Sequence, residues 1–316
     1  MVIHEITPEP APELQRMIRE FEATFLSPLG GNRFFRVDYG EDRTAFIRTL
    51  GVGKCLAAEK DGKIAGLVEM AIVKLRYPDG SEKPALYIAD IKLLAESRGG
   101  LIMGRLVQQG VAWGYTHTDV GFTMVLDATP IKPTEYTGRA GITALSEVGR
   151  TMVVRIPVTP AGAGRDDERF LTSREEGEMA HRRLSLGRFA VSGGSAEGRS
   201  STPPAWMVHP GGRACARFED RRNVRRLITD DGSELKPAYL SCFAFDDPNA
   251  AVDLVIAALH RADALGYRAL RLCMPPRDLT ALQCVLGPGV ITGVPGAVYG
   301  VAGLPAAAWN MSASAV

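Results

Sequence analysis

The sequence predicts a mixed α/β (α+β) fold made of two similar halves, each a twisted, mostly antiparallel sheet with helices on both faces. Three observations predict it. Two apolar runs of strand length flank Asp61 and Gly62, a pair that closes tight hairpins because both residues accept positive φ. Segments with apolar residues at helical spacing alternate with the strand-like runs. The turn Asp79, Gly80, Ser81, Glu82 returns as Asp231, Gly232, Ser233, Glu234, an offset of 152 residues.

Val2 to Thr7 reads as a short strand, and a helix follows with Leu14, Met17, Ile18, Phe21 and Phe25 on one face and Glu13 in its first turn. A second helix covers Glu41 to Leu50. The hairpin pairs Cys55 to Lys60 with Lys63 to Leu75, and the turn Tyr77 to Gly80 leads into a strand from Ala85 to Leu94. After the loop Ala95 to Gly100, residues Ile102, Met103, Leu106, Val107 and Val111 mark one face of a helix. Gly121 to Leu126 and Thr151 to Val158 read as further strands.

The character then changes. Arg165 to Arg188 is dense in charge and reads as a solvated helix, and Ser192 to Ser201 with Pro203 and Pro204 has linker composition. The expected division is therefore residues 1–158, a connecting segment 159–212, and a second half 213–316. The run Arg213 to Arg226 holds six arginines and two acids; it reads as a solvated strand pair and turn, or as a patch for phosphate or an acidic partner. Lys83, Pro84, Ala85 are echoed by Lys236, Pro237, Ala238, and Gly114 and Tyr115 by Gly266 and Tyr267, so the order of turn, strand, helix and strand occurs twice.

Composition narrows the function. With 37 basic and 36 acidic residues in 316, the net charge is +1, which removes the electrostatic footprint of a nucleic-acid binder. Apolar runs break well before the ~20 residues of a membrane span, and the acidic, proline-containing start is no signal peptide. Five cysteines without a C-x-x-C pair fit reduced thiols in a cytoplasmic protein, and the five scattered histidines give no metal site.

The chemistry points to Leu86–Leu106. Two glycines, Gly99 and Gly100, let the backbone approach a ligand, and the unpaired N–H groups at the start of the following helix join Arg98 as a seat for phosphate oxygens. A tight turn without a ligand accounts for the glycines equally well. The order of elements, the Asp61–Gly62 hairpin and the segment Asp90 to Leu106 together resemble the GNAT acyltransferase superfamily over residues 2–158, and over 213–304 through the repeat. The resemblance implies an acyl-CoA donor, acetyl-CoA or longer, and a primary amine of a small molecule or peptide as acceptor.

It also implies site residues. Backbone groups of Lys92, Leu93 and Leu94 face the thioester where two strands splay, and Arg98, Gly99, Gly100, Leu101, Ile102 and Met103 hold the donor pyrophosphate. Leu101 and Met103 stand where the family carries small residues, which leaves a longer acyl group or an acyl-carrier-protein donor open. Asp90 and Glu69 are candidate bases, with a salt-bridged structural role the alternative for Asp90. Tyr136, ahead of Gly141 and Ile142, resembles the tyrosine that protonates the leaving thiolate; its alternative is a packed loop aromatic. The second half, whose loop Asp246 to Ala251 lacks Arg and paired Gly, is expected to shape the acceptor cleft without binding donor. A non-catalytic ligand- or partner-binding protein is the rival reading.

Overall fold

Strand β1 (Val2–Glu5) leads into helix α1 (Pro12–Ala23), whose start is set by Pro12 at its first position and Glu13 beside the helix dipole. Next come β2 (Ser27–Gly30), β3 (Arg33–Asp38) and the short helix α2 (Ala45–Leu50), the last shorter than its sequence pattern suggests because Asp42 turns the chain by accepting from the Thr44 N–H. The expected hairpin is β4 (Val52–Lys60) and β5 (Lys63–Arg76), with Asp61 and Gly62 at φ +52° and +74°. β6 (Glu82–Leu93), α3 (Ile102–Gly114), β7 (Gly121–Leu126) and a long β8 (Leu145–Pro157) complete the first part.

The described residues of the connecting segment fold. It contributes β9 (Leu171–Thr172), α4 (Arg174–Leu184), β10 (Phe189–Val191) and β11 (Ala205–Val208). Then follow β12 (Ala214–Glu219), β13 (Arg226–Thr229), β14 (Glu234–Leu235), β15 (Pro237–Phe245), α5 (Pro248–Ala264), β16 (Ala269–Met274), α6 (Pro276–Leu286), β17 (Gly293–Val301) and β18 (Trp309–Asn310). The computed structural model describes residues 1–30, 33–98, 100–129, 132–136, 144–159, 168–191, 194–287, 291, 293–301 and 303–316; of residues 28–30 and 136 it describes the backbone. Among the described residues no helix is long and apolar enough to cross a membrane.

One sheet runs through the molecule in the order β1-β4-β5-β6-β7-β17-β8-β16-β15-β12-β11-β9, with β10 bridging β5 and β18. β17 lies antiparallel between β7 and β8, and β8 pairs in turn with β16, so strands from distant parts of the chain interleave at the centre. A smaller sheet, β14-β13-β3-β2, also joins early and late segments. The repeated turns share their main-chain and Asp–Ser hydrogen bonds. Ser81 N–H donates to Asp79 Oδ1 at 2.9 Å and Ser233 N–H to Asp231 Oδ1 at 3.0 Å, with Gly80 and Gly232 at φ +87° and +80°.

The two faces of β4–β6 are covered differently. Met17, Ile18 and Phe21 of α1 pack on Cys55, Ala57, Ile64 and Leu67. Ile102 and Leu106 of α3 pack on Leu56, Val68, Met70, Leu86 and Ile88 on the opposite face. Two expectations give way to burial. The β12 part of the arginine run is not a solvated strand, since every residue of it is buried. Residues 194–204, of linker composition, are anchored at Ala196, Arg199 and Ser200, which are buried; the Arg199 Nη2 donates to both Glu219 oxygens at 2.9 Å.

Gly194, at φ +67°, marks how tightly that segment is held, because a Cβ there would lie 2.0 Å from the Thr49 carbonyl oxygen. Gly194→Ala should destabilise the protein by about 2 kcal/mol or more, through backbone strain plus a main-chain clash. Gly187→Ala, at φ +78° with nothing within 4 Å, should lose about 1 kcal/mol from strain alone. Urea midpoints check this, and equal losses at the two positions would contradict the packed segment.

Candidate active site

The site begins with a bulge. Leu67 pairs with Lys92 and Glu69 with Ala89, so two steps along β5 oppose three along β6, and Asp90 takes φ +34°. Simple alternation would send Asp90 to the α3 face with Leu86 and Ile88. The extra residue instead puts it with Lys92 on the α1 face, while Leu93 returns to α3.

Beside the bulge the sheet opens. β6 and β7 pair in parallel from Leu86–Gly121 to Ile88–Thr123, and among the described residues the ladder stops there. The gap is a cavity of about 520 Å³, walled by Ile88, Ile91 and Leu93 of β6, Met124, Val125 and Leu126 of β7, Met103 and Val107 of α3, and Phe25, Phe46, Ala315 and Val316. Its size and apolar lining suit a small-molecule site. Leu94 N–H bonds back to Ala65 O at 3.1 Å, so by antiparallel alternation the Leu93 N–H points away from β5, towards the gap.

At the polar end of the cavity lies an ionic cluster. Asp90 Oδ2 accepts from Tyr39 OH at 2.5 Å and Arg43 Nη2 at 2.8 Å, with Lys92 Nζ at 3.2 Å and Arg225 Nη2 at 3.6 Å. Arg43 also binds Glu22 at 2.9 Å and the fully buried Glu69, and Lys92 reaches Glu22 at 2.6 Å. Burial alone would raise the Asp90 carboxyl, but Lys92, Arg43 and Arg225 outweigh it and hold it far below the ordinary range. Burial works against the charge on Lys92 too, yet Asp90, Tyr39 and Glu22 keep it a firm cation. Tyr39 is pushed up by burial and stays the protonated donor. For Glu69, burial prevails over the pull of Arg43 and pushes the carboxyl up to about 7.

The expected anion seat has the necessary parts. Leu101 precedes α3 without a side-chain cap, and Arg105 N–H is the first to bond back, to Leu101 O at 3.0 Å, leaving the N–H groups of residues 102–104 without intrahelical partners. Arg98, Gly100, Leu101, Ile102 and Arg105 line a cavity of about 330 Å³ there, and Arg98 also lines the main one. Leu101 points outward, 65% exposed, whereas Met103 is in the cavity wall.

Lys92, Leu93, Arg98, Met103 and Asp90 thus converge on one cavity. Glu69 lies behind Arg43, outside the cavity lining. Gly99, Gly141 and Ile142 lie outside the described residues, as does the Tyr136 side chain; its backbone ends a short turn, Pro133–Tyr136, that begins at the cavity wall. As a proton acceptor Asp90 is poorly set, because its charge is already committed to three cations and a phenol. Sequence reading missed Glu22, Tyr39, Arg43, Arg105 and Arg225. Arg225 had a signal in the arginine run, and the others had none. Among the described residues no group of His, Cys, Asp and Glu side chains is arranged to hold a metal.

No family model and no curated protein matches the sequence. Solved structures do. The chain is similar to N-myristoyltransferase of Saccharomyces cerevisiae with bound myristoyl-CoA, with a TM-score of 0.58 at 12% identity over 95% of this chain and 82% of that one. A second structure of the yeast enzyme gives 0.58 at 13% identity, over 95% and 78%. The chain has the GNAT fold. A probable N-acyltransferase from Enterococcus faecalis V583 is less similar, with a TM-score of 0.49 at 10% identity over 96% of this chain and 73% of that one.

The bulge and the parted strands occur a second time. Cys215 pairs with Ala244 and Arg217 with Ser241, again two steps against three, and Cys242 takes φ +55° at the position 152 residues after Asp90. The parallel pairing of β15 and β16 stops at Leu240–Leu272, as β6 and β7 stop at Ile88–Thr123. Here the chain itself packs against the gap. Asn310 Nδ2 donates to Phe243 O at 2.9 Å, and Met311, Ser312 and Ser314 are buried beside it. The start of α5 is closed by Asp247, which accepts from Asn249 N–H at 3.0 Å, and by Pro248, which has no N–H to offer.

The raised carboxyl of Glu69 has a pH signature. Between pH 4.5 and about 7 the folded chain keeps a proton there that the unfolded chain has lost, so this group's contribution to stability falls as pH rises through that window. Glu69→Gln should remove that decline from urea midpoints measured across the window. An identical slope in the variant would contradict the assignment.

Proposed function

We propose that the chain is an N-acyltransferase that moves an acyl group longer than acetyl from a CoA thioester to a primary amine. The parting of β6 and β7 carries this reading: it offers an apolar cavity and a main-chain N–H at one point, beside a helix start without a side-chain cap. In this proposal residues 1–158 bind the donor. The N–H groups of residues 102–104 with Arg98, Gly99, Gly100 and Arg105 take the pyrophosphate, and the acyl chain lies against Ile88, Met103, Val107 and Met124. The Leu93 N–H polarises the thioester carbonyl, with Lys92 and Leu94 on either side of it holding β6 to β5.

The amine attacks the carbonyl carbon, the C–S bond breaks, and the thiolate leaves with a proton. Tyr136 is the candidate donor of that proton. Asp90 acts as a positioning residue that fixes the bulge, and Glu69 supports it through Arg43. The proton that the nitrogen sheds on forming the amide passes through water in the cavity and restores Tyr136. Residues 213–316 add Ala315 and Val316 to the cavity wall but form no second donor site, since their own gap is occupied and their helix start carries Asp247. The myristoyl-CoA held by the yeast enzyme of the same fold favours a long acyl chain, as does the apolar lining.

Calorimetric titration of acyl-CoA should find one site per chain, and Arg98→Ala should weaken it by roughly 1.5–3 kcal/mol, the scale of a charge-assisted hydrogen bond. Thiol release from acyl-CoA on addition of amines should accompany binding. Unchanged affinity in the variant, or a second site that survives it, would overturn the donor assignment.

A further inference from the structure

The arginine run is not used up by the donor site. Arg217 is tied to Glu219, and Arg221 donates to the carbonyls of Ala313 and Val316. Arg222, Arg225 and Arg226 instead line a separate polar cavity of about 340 Å³ with Asp38, Tyr39 and Asn223. Arg225 belongs to the walls of both this cavity and the apolar one, and its Nη2 donates to Tyr39 OH at 3.1 Å. Arg225, held against Tyr39, is therefore the partition between them.

The position is informative. Tyr39 and Arg225 meet Asp90 and Lys92 on the face covered by α1, whereas the anion seat of α3 is on the other face. A second substrate approaching the Leu93 N–H opposite the donor would pass these arginines. Their charge is only partly answered. Arg222 is held by Glu234 at 2.8 and 3.1 Å, but the Arg226–Asp38 pair, at 2.6 Å, has side chains 47% and 31% exposed, an arrangement worth little and easily exchanged. Arg225 Nε is buried without a hydrogen-bond partner among the described residues.

Resting on the acyltransferase reading above, we infer that this cavity binds the acceptor and that the acceptor is an amino acid, its α-carboxylate taken by Arg225 and Arg226. Guanidinium forks match a carboxylate with two parallel bonds. A carboxylate on the outer edge of Arg225 draws that side chain from Tyr39 and sets the adjoining amine at the opened partition, facing the cavity. The amine nitrogen then bonds to the acyl carbon, and the CoA sulfur leaves as the thiol.

The test compares amino acids with their own amides, glycine with glycinamide and leucine with leucinamide, as acceptors for thiol release from myristoyl-CoA. The acids should show kcat/KM higher by about 10–100-fold, the worth of a charge-assisted bond. Arg226→Gln should narrow that ratio by raising KM for the acids. The wild-type comparison stands by itself if the variant does not fold, because Arg226 also joins β13 to β3. Equal turnover of acids and amides, or turnover of amides alone, overturns the inference and leaves the acyltransferase standing. Bound acyl-CoA without thiol release to any amine overturns the acyltransferase, and the inference with it.

Discussion

The site depends on one strained residue and the charges that hold it. A non-glycine residue at positive φ costs roughly 1–2 kcal/mol, and Asp90 pays this inside the bulge of β6 because its carboxylate gathers Tyr39, Arg43, Lys92 and Arg225. Those partners come from the loop after β3, from β6 itself and from the turn before β13. The same contacts that secure the bulge therefore tie the early and late parts of the chain at the mouth of the cavity. Removing one member of such a buried cluster leaves the others uncompensated, at a cost of several kcal/mol.

The second bulge shows what the first one needs. Cys242 repeats the backbone of Asp90 without its charge, and the gap beside it is packed by Asn310 and the residues that follow. The same backbone device thus serves once as an open cavity and once as a socket for the chain's own end. From there the chain continues to the first cavity, where Ala315 and Val316 form part of the wall and Tyr87 OH donates to Ala315 O at 3.0 Å. Among the described residues, the difference between the two bulges follows from side chains, not from topology.

Much of the frame was legible in local sequence. Asp61–Gly62 closes the expected hairpin, the Asp–Gly–Ser–Glu turns repeat their hydrogen bonds, and Arg98 with Gly100 stands at an uncapped helix start because those features are set within a few residues. What was not legible is long-range. Nothing near Asp90 announces Arg43 or Arg225, which are 47 and 135 positions away, and alternation by itself assigns the wrong face to a bulged residue. The insertion of β17 between β7 and β8 is a choice of strand order that apolar patterning cannot express. Linker composition at 194–204 misled because the anchor there is an ion pair, Arg199 with Glu219, which no apolar run announces.

The central claim is that the gap between β6 and β7 receives the acyl chain of a CoA thioester. The most direct measurement is the binding free energy of a series of acyl-CoAs of increasing chain length, titrated into the 316-residue chain. If the chain enters the cavity, affinity should rise by about 0.8 kcal/mol for each methylene buried, then level off once the walls at Met103, Val107 and Met124 are filled. Affinity that is the same for acetyl-CoA and for the longest member of the series would contradict the account.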